Sequence, residues 1–199
     1  MGIFDLFKRN KKTIRNERSS SEQVAFAESV LLIISPTIEK FGFKRVEKTI
    51  KEYSTTITFR KRDQYIKVEN SSYPTDYPYY YFIVLGEGSS DDFFEYDWNS
   101  VSLAALANIV DPTSDEISYW FPLGDSKFAE TIKESIEKAN QDILKYGATF
   151  LDGDLSMFYQ ARKKANEGRE PYKISKMDEN GAYQTTLDPE SAAQKKKYS

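Results

Sequence analysis

The chain of 199 residues contains no cysteine and no histidine. Without thiols there is no disulfide framework, no cysteine nucleophile and no thiolate metal site. Without imidazole there is no Ser-His-Asp triad, no His-Glu-x-x-His zinc helix and no histidine base working near neutral pH. Any catalysis would fall to carboxylates, tyrosine, lysine, serine or arginine, which leaves glycosidase-like and Mg²⁺-dependent chemistry as the open classes. No stretch of about 18 apolar residues occurs, so no transmembrane helix is expected; the cluster Val30 to Ile34 has the length of a helix face. A Walker pattern is missing too.

The start Met1-Gly2-Ile3-Phe4-Asp5-Leu6-Phe7 puts apolar residues ahead of Lys8, Arg9, Lys11 and Lys12, the reverse of a signal peptide. It has no Ser or Thr at position 6, which argues against myristoylation. A cytoplasmic address is the expectation. The net charge of −3 argues against general nucleic-acid binding, which needs a basic footprint.

What the chain does have is aromatic residues: 14 Tyr, 13 Phe and 2 Trp. Tyrosine joins an apolar ring to a polar tip, so such a chain can build both cores and adhesive surfaces. The length suits one domain with an appended piece. The expected division is a basic tail over 1–18, a domain over 19–168, and a hairpin with a lysine-rich tail over 169–199. Ile3, Phe4, Leu6 and Phe7 followed by basic residues over 3–18 form a pattern able to touch anionic lipid peripherally. The plainer alternative is a solvated start that packs a Phe or two onto the domain.

Ser19 with Glu22 three residues on predicts a capping box. Behind it Val24, Ala27, Val30, Leu31, Ile34, Ile38 and Phe41 recur at helical spacing, with Pro36 expected to kink or divide the helix and Gly42 to stop it. The period then changes to two. Strands are expected over Phe43–Thr49, Tyr53–Arg60, Tyr65–Glu69 and Tyr79–Leu85, the last buried on both faces, with a hairpin turn at Lys61–Gln64. Leu103, Leu106, Ala107 and Val110 suggest a helix, and Ile117, Tyr119 and Phe121 a short strand. Phe128, Ile132, Ile136, Ala139, Ile143 and Tyr146 mark the clearest helix, capped by Asp125 or Ser126. Asp154 caps another that ends at Gly168. Asn180-Gly181 between two alternating runs predicts a hairpin. The sum is an α+β fold: an antiparallel meander of about four to five strands packed by helices, with a C-terminal helix and β-hairpin extension.

Several motifs invite chemistry. Gly86-x-Gly88 follows a strand, but the third glycine position holds Asp91 and the surroundings are acidic, so a phosphate would be repelled. Asp91, Asp92, Glu95 and Asp97 cluster near Glu87, yet without EF-hand spacing, so no metal is assigned. Phe93, Phe94, Tyr96 and Trp98 alternate with them. Acidic residues interleaved with large aromatics suit a basic protein partner, the carboxylates steering and the rings anchoring. The competing reading has those rings pack against the sheet. Arg60-Lys61-Arg62, with Lys44, Arg45, Lys48 and Lys51, forms a basic patch without a recognised RNA motif. Glu69 and Glu87 are the carboxylates nearest the sheet, and Ser135-Ile136-Glu137-Lys138 matches Ser-x-x-Lys only inside an amphipathic helix. No catalytic residue and no cofactor follow from these.

The order helix, Phe41-Gly42-Phe43-Lys44-Arg45, then strands ending Phe82-Ile83-Val84-Leu85-Gly86, resembles small bacterial α+β domains, some of them similar to immunity proteins that neutralise a secreted toxin by surface binding. The resemblance covers residues 21–147 and implies a helix followed by a meander sheet; it carries over no functional residue. The expected function is therefore a non-enzymatic protein-binding module, immunity-like, that meets a basic protein through Asp91, Asp92, Phe93, Phe94, Glu95, Tyr96, Asp97 and Trp98. The alternative is a carboxylate-based hydrolase or carbohydrate-binding protein. Nothing in the sequence fixes the oligomeric state.

Overall fold

A meander of antiparallel strands, each joined to its spatial neighbour, organises the molecule. The computed structural model describes residues 20–73, 75, 79–88, 98–113 and 115–198. The first helix, α1 (Ser21–Glu39), starts one residue later than Ser19 implies. The Ser20 hydroxyl accepts the Gln23 N–H (3.2 Å) while Gln23 Oε1 accepts the Ser20 N–H (3.0 Å), so glutamine completes the capping box instead of Glu22. Pro36 neither divides nor ends α1. The carbonyl that its missing N–H would have served belongs to Leu32, which is exposed, so water can take that bond. Gly42, at φ +89°, turns the chain out of the helix.

Strands β1 (Lys44–Ile50), β2 (Ser54–Lys61), β3 (Gln64–Ser71), β4 (Tyr80–Glu87) and the three-residue β5 (Ser100–Ser102) pair in chain order, all antiparallel. The fold class read from the sequence is thus the one observed. Gln23 ties α1 to this sheet: its Nε2 donates to the carbonyls of Lys51 (2.8 Å) and Ser54 (3.3 Å). One face of the sheet presents Ile57, Phe59, Ile66, Val68, Tyr81, Ile83 and Leu85 to the core. The other is also closed to solvent at Thr58, Tyr65, Lys67 and Val84. β4, read from its sequence as buried on both faces, is so only toward Val84; Tyr80 and Phe82 on its second face are half-buried.

Helix α2 (Leu103–Val110) follows β5 directly, and α3 (Phe128–Tyr146) lies beside α1 over the core face. In α3 every apolar residue expected from the spacing is buried. Its N-cap position is Lys127, with Asp125 acting from two residues earlier: Oδ1 accepts the Lys127 N–H (2.8 Å) and Oδ2 the Thr131 hydroxyl (3.1 Å). A short α4 (Ala148–Asp152) inserts Phe150 and Leu151 into the core before α5 (Ser156–Asn166).

Strands β6 (Lys173–Met177) and β7 (Tyr183–Leu187) form the hairpin that Asn180-Gly181 foretells. The lysine-rich end, expected as a tail, forms helix α6 (Pro189–Tyr198). Proline occupies its first position, and Asp188 Oδ2 accepts the Ser191 N–H (3.1 Å), an N-terminus built from residues suited to one.

Candidate functional site

Among the described residues, the outer edge of β4 is covered twice, by different segments, and left open between them. β5 pairs with Val84–Gly86 and then stops, because Ser102 caps α2: its hydroxyl accepts the Ala105 N–H (3.1 Å) and the chain turns into the helix. The run expected as a short strand at Ile117–Phe121 returns to the other end of β4 as a single bridge, Trp120 opposite Tyr80. The Tyr81 N–H donates to the Tyr119 carbonyl (3.1 Å) and the Phe121 N–H to that of Tyr79 (3.2 Å).

At the far end of β4 the Glu87 N–H donates to Asn99 (3.1 Å), so odd-numbered residues of β4 direct their main-chain groups to this outer edge. The C=O of Tyr81 and the N–H of Ile83 therefore point into the gap. A cleft of about 350 Å³ opens there, lined by Tyr80, Phe82, Ile83, Leu103, Ile117 and Trp120, with Glu116 and Ser118 at its polar margin. Trp120 is 55% exposed at the mouth.

Under the cleft the Tyr81 and Tyr119 rings stack, centroids 5.1 Å apart and planes at 16°. The Tyr81 hydroxyl shares a hydrogen bond with Ser135 Oγ (2.8 Å), and the Tyr119 hydroxyl donates to Asp142 Oδ2 (2.9 Å). Lys138 Nζ, 2.8 Å from the same oxygen, balances that carboxylate and lies 5.5 Å from the Tyr119 ring centroid. Burial raises the Tyr81 phenol pKa; for Tyr119 burial and then the Asp142 charge act in the same direction. Both are held as neutral phenols, and Ser135 is occupied as the partner of Tyr81 rather than poised as a nucleophile. These side chains form a mutually hydrogen-bonded floor, and among the described residues here none is set up as an activated nucleophile.

The expected patch fares differently. Asp91, Asp92, Phe93, Phe94, Glu95, Tyr96 and Asp97 lie outside the described residues. Trp98 is described and is fully buried. Its indole N–H donates to Ser191 Oγ (3.2 Å), its carbonyl accepts from Asn166 Nδ2 (2.9 Å), and the Arg169 guanidinium covers its ring at 4.5 Å. That ring anchors α5 and α6 and is not available to a partner's surface.

Glu87 is likewise committed, to Arg162 Nη1 (3.2 Å) and to the Tyr159 hydroxyl (3.2 Å). Glu69 stands across from Phe82, five positions along β4 from Glu87 and on the other face of the sheet, so the two carboxylates do not converge. Among the described residues no three acidic side chains come together as a metal site. Of the basic hairpin tip, Arg60 donates to the Gly88 carbonyl (2.7 Å) and Lys61 to that of Leu151 (2.6 Å), which leaves Arg62 in the turn.

Sequence reasoning missed the cleft. Its signal was present in two features: a β run of only three residues ending in a Ser-Leu helix start, and the alternating Ile117–Phe121 run with no neighbouring strand signal. Of the tyrosine cluster Tyr73, Tyr77 and Tyr79–Tyr81, for which the sequence alone does not separate pocket from core, Tyr80 lines the cleft, while Tyr81 both contributes to its wall and is buried in the core. Set against known proteins, the chain matches no protein-family model, no curated protein and no solved structure.

Proposed function

We propose that this protein is a non-enzymatic binding module, immunity-like in mode, which grips an extended apolar segment of a partner protein at the interrupted edge of β4. The carrying observation is the juxtaposition, in one cleft, of an outward acceptor and donor (Tyr81 C=O, Ile83 N–H) with aromatic walls. A peptide residue laid along this gap as a short β-bridge pairs with both main-chain groups, and its side chain enters among Phe82, Leu103 and Ile117. Trp120 is placed as the anchor, a residue type that recurs at interaction hot spots. The acidic and aromatic run Asp91–Asp97 supplies the electrostatic half of the same reading, steering a basic partner.

The test is a selection of extended peptides against the intact protein, followed by Kd measurement on Trp120→Ala and Ile117→Lys. A loss of roughly tenfold or more is expected for each, as for a hot-spot residue. Unchanged affinity in both variants would sink the cleft as the site. Replacing Asp91, Asp92 and Glu95 by Ser should reduce affinity for a basic partner at low salt only; salt-independent binding in the wild type removes the electrostatic half. The alternative, a carboxylate hydrolase or carbohydrate-binding protein, draws no support from Glu69 and Glu87 and would be revealed by a sugar displacing the peptide.

A further inference from the structure

The β6–β7 hairpin stands apart from the core, and β7 is exposed along its whole length. Tyr183 is 70% and Leu187 52% exposed, on the same face as Met177 at 59%. A two-stranded hairpin alone in water is marginal, and three or more strands are needed for independent stability.

The edges of the two sheets are not alike. β1, the free edge of the main sheet, carries Lys44, Arg45, Glu47 and Lys48 and a register shift between Arg45 and Glu47, all devices that discourage pairing. β6 carries Lys173 and Lys176. β7, Tyr-Gln-Thr-Thr-Leu, has no charge, no proline, no glycine and no bulge.

Its hydrogen-bonding phase is fixed by two bonds. The Asp178 N–H donates to the Ala182 carbonyl (2.8 Å) and the Asp188 N–H to that of Tyr172 (2.7 Å). Even-numbered residues thus face β6, and Tyr183, Thr185 and Leu187 turn their N–H and C=O groups to the edge that no described strand pairs.

We infer that β7 is a self-pairing edge: two copies of this chain join β7 to β7 antiparallel about a two-fold axis at Thr185, making one four-stranded sheet. In that register each outward residue meets an outward residue. Thr185 faces its own copy, Tyr183 faces Leu187 of the second copy, and Gln184 faces Thr186. The segment reads large apolar, polar, threonine, polar, large apolar, so the two-fold brings like chemistry together and opposes no two charges. On one face Met177, Tyr183, the second copy's Leu187 and its Lys173 form a continuous row across the four strands, so two apolar side chains exposed in the monomer each gain an apolar neighbour.

The absence of cysteine makes the test direct. The Thr185→Cys variant places its two sulfurs on the axis, where Cα atoms of a hydrogen-bonded antiparallel pair lie about 5.5 Å apart, inside the disulfide range. Lys176→Cys, equally exposed but on the outer strand, is at least three strand spacings, roughly 14 Å, from its copy. Under mild oxidation Thr185→Cys should form a covalent dimer far faster than Lys176→Cys. Sedimentation of the unmodified chain should show a reversible, concentration-dependent dimer, and Thr185→Lys, with two ammonium groups on the axis and an unchanged circular dichroism spectrum, should remain monomeric. Equal cross-linking rates, a wild type monomeric at every concentration, or a Thr185→Lys that still dimerises would each overturn the inference.

Discussion

The Tyr65 ring lies flat across Gly86, its antiparallel neighbour on β4, in the space where any other residue would place its Cβ. Arg60, the partner of Tyr65 on β2, covers the ring with its guanidinium 5.3 Å from the centroid. Glycine is needed here for room and not for backbone freedom, since Gly86 is not among the positive-φ residues.

Gly86→Ala should therefore destabilise the protein, by about 1–3 kcal/mol, although alanine is ordinarily the better residue inside a strand. Urea denaturation will measure it. A double-mutant cycle with Tyr65→Ala identifies the cause: the penalty of Gly86→Ala should shrink once the ring is gone. A penalty that persists undiminished would place the cause elsewhere.

The stacked pair Tyr81 and Tyr119 should make stability fall in alkali. Both phenols have pKa values raised above the ordinary tyrosine value of 10.0, by burial first, and then for Tyr119 by Asp142. In the unfolded chain they ionise near pH 10, while in the folded state they keep their protons, so the native state binds more protons above that pH. Their contribution is fully present below about pH 10 and is lost as pH rises through the folded-state values. Tyr119→Phe should flatten this alkaline decline while lowering stability at neutral pH, because Asp142 loses a donor. Denaturant midpoints measured from neutral to alkaline pH will show both effects; an unchanged alkaline slope in Tyr119→Phe would refute the assignment.

Trp98 reports on α6. The indole is sealed by Ser191 and Arg169, while Trp120 is open to solvent. In a Trp120→Phe background, removing residues 189–199 should shift the remaining emission to longer wavelength and lower the thermal midpoint. Blue emission retained after the deletion would show that the helix is not what buries the ring.

How much of this was legible in the sequence follows from the range of each interaction. The helical stripe of α3 and the alternation of β2 and β3 are local patterns, and every buried residue of α3 was readable from its spacing. Ser20 displaced Ser19 as cap because Gln23, unlike Glu22, also reaches the carbonyls of Lys51 and Ser54, a tertiary gain invisible to a local rule. Trp98 illustrates the harder problem. Composition places it in an acidic and aromatic run suited to a surface, yet its partners Asn166, Arg169 and Ser191 come from the far end of the chain. The cleft escaped notice for the same reason, since a gap between two pairings belongs to no single segment.

The broken border of β4 also sets an order of events during synthesis. β1 to β4 emerge in sequence and pair with near neighbours, a set of local contacts able to form early. The outer edge of β4 stays bare until β5 has been made, and its Tyr80 end waits longer still, for Trp120. α1, made first, is at hand to cover part of the core face, but the rest of that cover waits for α3, later again, to lie beside it. For that interval the nascent chain displays an open apolar strand edge, the hazard that cells meet with chaperones. The place where the finished protein is best shaped to receive a strand is thus also the place where its unfinished form is most exposed to the wrong one.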